Sequence, residues 1–177
     1  NDGVGDFCDP DSAPLVCGLV PLPDTACRLA AIDAQGKSQV LVNNRSPDDK
    51  DQLKWKWNKG EAVDLADFGA PDTSTNTMTV CIYDRRGLHR QLDLPPGGVV
   101  ATCAGKPCWT PSGTTGFKYK NSDGVPDGIT SAKLKAGADG KSQVQIRAKG
   151  ANLLPPETED LSGVVVQLLI DDGSAAL

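Results

Sequence analysis

Long apolar runs are missing from this 177-residue chain. No stretch approaches the ~18 consecutive apolar residues of a membrane-spanning helix, so no span is expected. Aromatic residues make up only 5% of the chain, and histidine and methionine occur once each, as His89 and Met78. A hydrolytic triad needs a base beside its nucleophile. His89 stands next to Arg90, which disfavours proton acceptance, and the sequence predicts a solvent-facing strand residue there. There is no Gly-x-Ser-x-Gly elbow and no phosphate-cradling glycine loop. The carboxylates gather in turns (SPDDKD, ETED, IDDG), where solvation accounts for them. The chain does not read as an enzyme. Long helices are lacking too: the best amphipathic candidate, Gly60 to Gly69, is fenced by glycines and has room for a turn or two.

What is abundant is punctuation: 13 prolines and 19 glycines, together with six cysteines in an acidic chain of net charge −5. An even cysteine count in such a chain reads as three disulfides formed in an oxidising space, hence a secreted, extracellular or cell-surface protein. Zinc is the rival. However, Cys103 and Cys108 form a C-x4-C with no matching second pair, and one histidine cannot complete a site. Cys103 is expected to pair with Cys108, because the Gly-Lys-Pro between them lets the chain turn. Cys8 with Cys17 and Cys27 with Cys81 would complete the set.

Residues 1–27 form an acidic leader with no basic residue before Arg28. Its prolines (Pro10, Pro14, Pro21, Pro23) forbid a helix and disfavour a central strand, so it should lie extended, tied by its cysteines. Residues 28–177 change to strand patterns. In QLKWKW (52–57), Leu53, Trp55 and Trp57 take one face and Gln52, Lys54 and Lys56 the other. Further strands are expected at 38–43, 77–84, 88–94, 116–120, 131–136, 142–149 and 164–170. Arg-Arg-Gly after the third and Asp139-Gly140 before the seventh give hairpin turns. Eight short, turn-separated strands without helices predict an all-β antiparallel β-sandwich carrying a short acidic, Pro-rich N-terminal extension. GKSQVLV from Gly36 and GKSQVQI from Gly140 echo each other, as two related halves or simply as a shared strand opening.

Basic residues alternate along these strands: Lys54, Lys56, Lys118, Lys120, Lys133, Lys135, Arg147 and Lys149. They should project to solvent while Trp55, Trp57, Phe117, Tyr119 and Leu134 turn inward. Such lysines can keep exposed faces and edges from pairing with other chains. Alternatively they build a basic face for an anionic polysaccharide or for the acidic leader of a neighbour. Nucleic acid is not expected, given the negative charge and the want of free aromatics for base stacking.

Two loops carry the spacing of an oxygen-ligand cation site. Asp2, Gly3, the Val4 carbonyl, Asp6 and Asp9 take the later positions of an EF-hand-like loop. Asn121, Asp123, the Val125 carbonyl and Asp127 repeat the middle positions, but Tyr119 and Thr130 stand where end ligands belong. DGVGDFCD (2–9) resembles the last part of a thrombospondin type 3 repeat, an extracellular calcium-binding repeat, over about the first eleven residues. The resemblance implies calcium held by Asp2, Asp6, Asp9 and the Val4 carbonyl, although the first loop positions fall before or at Asn1. From about Cys27 onward, LKWKWNKGEAVDLADFG, CIYD, GKPCW, GFKYK and DGITSAKLKAG resemble a disulfide-bearing β-sandwich module of large secreted bacterial proteins. That resemblance carries no activity.

Two functions of different kind follow. One is a structural or assembly module of a surface layer or fibre, whose partners are other copies of itself or other extracellular proteins. It rests on GVVVQLLIDD (163–172): Val164, Val166, Leu168 and Ile170 would line the core, yet Val165 and Leu169 make the other face apolar too. The other is a carbohydrate- or surface-ligand-binding module, for which Trp109, beside Cys108, is the candidate platform.

Overall fold

The computed structural model describes residues 17, 37–84, 87–98, 102–153 and 164–170. They form an antiparallel β-sandwich. The chain enters with β1 (Lys37–Asn43) and β2 (Gln52–Gly60), then a 3-10 turn at Ala66–Phe68 inside the segment expected to hold at most a turn or two. β3 (Met78–Asp84) and β4 (Gly87–Leu94) form the expected hairpin. Three very short strands follow: β5 (Thr102–Cys103), β6 (Lys106–Pro107) and β7 (Trp109–Pro111). β8 (Gly116–Lys120), β9 (Ile129–Lys135), β10 (Ser142–Lys149) and β11 (Val165–Ile170) complete the set. One sheet has six strands in the order β1-β2-β10-β9-β8-β7, the facing one has three in the order β11-β3-β4, and β5 pairs only with β6.

The period-two pattern fixes which side of the large sheet is buried. Leu53, Trp55 and Trp57 of β2 lie level with Ala148, Ile146 and Val144 of β10, and all six are buried. Phe117 and Tyr119 of β8 pair with Leu134 and Ala132 of β9 on the same side. Met78, Val80, Ile82, Leu92, Leu94 and Leu168 meet them from the small sheet. A one-residue slip of any strand would expose its whole apolar set. At about 1.5–3 kcal/mol for each large side chain returned to water, the register is strongly held. At Gly60 a Cβ would run into the Trp57 indole, so only glycine lets the strand end beneath that ring.

β11 behaves as its two-faced pattern requires. Val166, Leu168 and Ile170 pack on the main core, while Leu169 joins a second buried cluster with Cys17, Cys81 and Tyr83 on the other side of the small sheet. The Cys17–Cys81 disulfide anchors that cluster. It also corrects the expected pairings of Cys8 with Cys17 and Cys27 with Cys81: Cys81 faces away from the core, toward Cys17. Cys103–Cys108 forms as expected. Cys8, Cys27 and the rest of the acidic extension lie outside the described residues.

The strands that echo each other, β1 and β10, flank the same strand β2, with Val40 level with Trp55 and Val144 level with Trp57. The echo therefore sits within one sheet, two residues out of step, and not in matching halves of the sandwich.

Candidate functional site

Asn121, Asp123, Val125 and Asp127 lie together in the β8–β9 loop, where their polar groups bind one another and their neighbours. The Asn121 side-chain amide donates to the Val125 carbonyl at 2.9 Å and to the Tyr119 hydroxyl at 3.1 Å, and its Oδ1 accepts from the Asp123 N–H. Asp127 turns to β4, where its carboxylate accepts from the Asp93 N–H at 2.8 Å. The Asn121 amide and the Val125 carbonyl are thus bonded within the loop, and the Asp127 carboxylate is bonded to β4. Among the described residues no three His, Cys, Asp or Glu side chains converge as a metal site. Asp2, Val4, Asp6 and Asp9 lie outside those residues.

Trp109 is not a platform. It is 3% exposed, its indole N–H donates to the Pro95 carbonyl at 2.8 Å, and its ring lies 5.0 Å from that of Tyr119. The cause is register: Trp109 pairs with Tyr119 across β7 and β8, and paired residues share a face. His89 is also corrected. Its side chain is 9% exposed, with Nδ1 3.6 Å from an Asp84 oxygen. The irregularity between Ile82 and Tyr83 takes His89 out of simple alternation and folds it back over the hairpin end.

Two features remain open, and they belong to different sheets. The first is the free edge of β11. β11 bonds to β3 on one side, and among the described residues no strand bonds to its other side. Its sequence, VVQLLI, has neither charge nor proline, and Val165 is 41% exposed. The other edges are blunted: β1 begins with Lys37, β4 carries a bulge and charged residues, and β7 is three residues long and ends in Pro111.

The second is the outer face of the six-stranded sheet. Its six strands hold ten of the chain's 18 basic residues and not one Asp or Glu. Lys118 stands directly opposite Lys133, and Lys54 opposite Arg147. The disulfide-closed β5–β6 hairpin rises beside this face and makes it the floor of an open cleft of about 970 Å³. Lys106, Lys118, Lys120, Lys133, Arg147 and Lys149 line it, with no carboxylate among the described residues. The sequence pattern revealed the alternating lysines; the hairpin wall was missed, because two-residue strands leave no period to read.

No family model matches the chain, and comparison with curated proteins and with solved structures returned no match.

Proposed function

We propose that the protein is a non-catalytic module of a secreted, extracellular assembly, a surface layer or fibre, in which β11 receives a strand from another copy. The edge of β11, unpaired among the described residues, carries this reading. An exposed row of backbone N–H and C=O groups along an apolar, uncharged strand is a template for a further strand, and proteins that remain monomeric usually blunt it with lysine, proline or a bulge. The other three strand edges have such devices and β11 has none. The two disulfides support an oxidising compartment.

Val165→Lys is the test, since this is the one exposed side chain of β11. Sedimentation velocity should find the natural chain associating with rising concentration and the variant monomeric, with the melting midpoint unchanged. A natural chain that stays monomeric at every concentration, with and without calcium, would remove the basis for an assembly role.

A further inference from the structure

We propose that the cleft between the β5–β6 hairpin and the outer face of β8, β9 and β10 binds an anionic polysaccharide, a chain of sugars bearing carboxylate or sulfate groups. The site lies in the sheet opposite β11 and does not depend on strand addition there.

The arrangement of charge carries the inference. Like charges set directly across a sheet destabilise it. This chain has more acids than bases, yet it places Lys118 against Lys133 and Lys54 against Arg147, with no carboxylate anywhere in the six strands. Protection of sheet edges does not account for this. The edges are β1 and β7, whereas these cations stand on the interior strands β2, β8, β9 and β10. Side chains two apart on a strand are separated by roughly 7 Å and neighbouring strands by roughly 4.8 Å, so the floor is a lattice of positive points. Such a lattice suits a ligand whose negative charge repeats.

The rest of the lining selects among polyanions. Five of the six cations are lysines, hydrated point charges without the fork that clasps a single oxyanion, which favours many dispersed contacts over one tight one. Thr130, Ser131 and Gln145 lie between them and offer hydroxyl and amide groups to sugar hydroxyls. An acidic peptide finds less to hold. The backbone ladders of β8, β9 and β10 are occupied on both sides, so no strand can be added to the floor. Nucleic acid finds no stacking partner among the described residues, since Tyr119, the one aromatic among those that line the cleft, is 1% exposed. A volume of about 970 Å³ falls at the upper end of the roughly 300–1,000 Å³ of ligand clefts, and here the cleft is open.

The test titrates the full chain with polygalacturonate oligomers and with sulfated dextran. Neutral dextran of matched length, poly-aspartate and a single-stranded oligonucleotide serve as comparisons, each at low and moderate salt. The expected result is binding of the charged glycans, weakened by salt, with no binding of neutral dextran. Lys118→Gln with Lys133→Gln should weaken that binding about tenfold, while Lys50→Gln with Lys141→Gln, outside the cleft, changes it by less than about twofold. Because the first pair of substitutions relieves an opposed pair of like charges, its melting midpoint should stay at or above that of the natural chain. Lys120→Gln with Lys149→Gln should repeat the loss. Failure of the charged glycans to bind, equal losses in cleft and control variants, or tighter binding of poly-aspartate or the oligonucleotide would overturn the proposal. Failure of strand addition would not touch it.

Discussion

A phenol shut away from water holds its proton. Tyr119 is 1% exposed, and burial pushes its pKa above the ordinary tyrosine value, opposed by the hydrogen bond with Asn121. The sign follows from linkage. The folded state keeps this proton over a range where the unfolded chain has released it, so stability is whole below about pH 10 and falls as pH rises through the folded value. Urea unfolding at a series of alkaline pH values should show the midpoint dropping, and Tyr119→Phe should flatten the drop. Tyr119 was legible as an inward residue from the alternation of GFKYK alone. Trp109, its neighbour in the ring contact, was not. Its orientation depends on pairing with β8, a long-range fact that three residues ending in proline do not announce. His89 was misread for a related reason: an irregularity breaks the simple alternation, and nothing local in LHRQLDL betrays it.

The eight longer strands could be read because each repeats its alternation several times, and each hairpin turn has its own chemical mark. The Cys103–Cys108 bridge could be read from its tight turn, but the partner of Cys81 could not, since it depends on which segment faces which strand. The two bridges nevertheless make a quantitative contrast. Cys17–Cys81 closes a separation of 64 residues and Cys103–Cys108 one of 5. On loop-closure entropy the first should contribute about 4 kcal/mol and the second about 2 kcal/mol. Denaturant unfolding of the two Cys→Ser double variants should rank them in that order. Loss of the second bridge should leave the main core standing while loosening the β5–β6 hairpin, so hydrogen exchange should quicken there first. An equal cost for both variants would mean that native-state packing, and not the constraint on the unfolded chain, sets their worth.

At the scale of the whole molecule, the described cations gather on one sheet. One broad face gathers lysines on four neighbouring strands, and their mutual repulsion is part of the folded state's energy. Salt should relieve it. Between about 10 mM and 150 mM ionic strength the screening length falls from roughly 30 Å to 8 Å. The melting midpoint of the natural chain should therefore rise over that range in scanning calorimetry, and the Lys118→Gln, Lys133→Gln variant should rise less. A midpoint that falls with salt would mean that attractive pairs dominate the surface.

The same sorting gives the large sheet, among the described residues, a cationic outer side on a chain whose net charge is negative. A negatively charged support would attract that side through its opposed lysines. If β11 takes up a strand and the cleft a polyanion as proposed, the two events use different sheets and would not compete for the same residues.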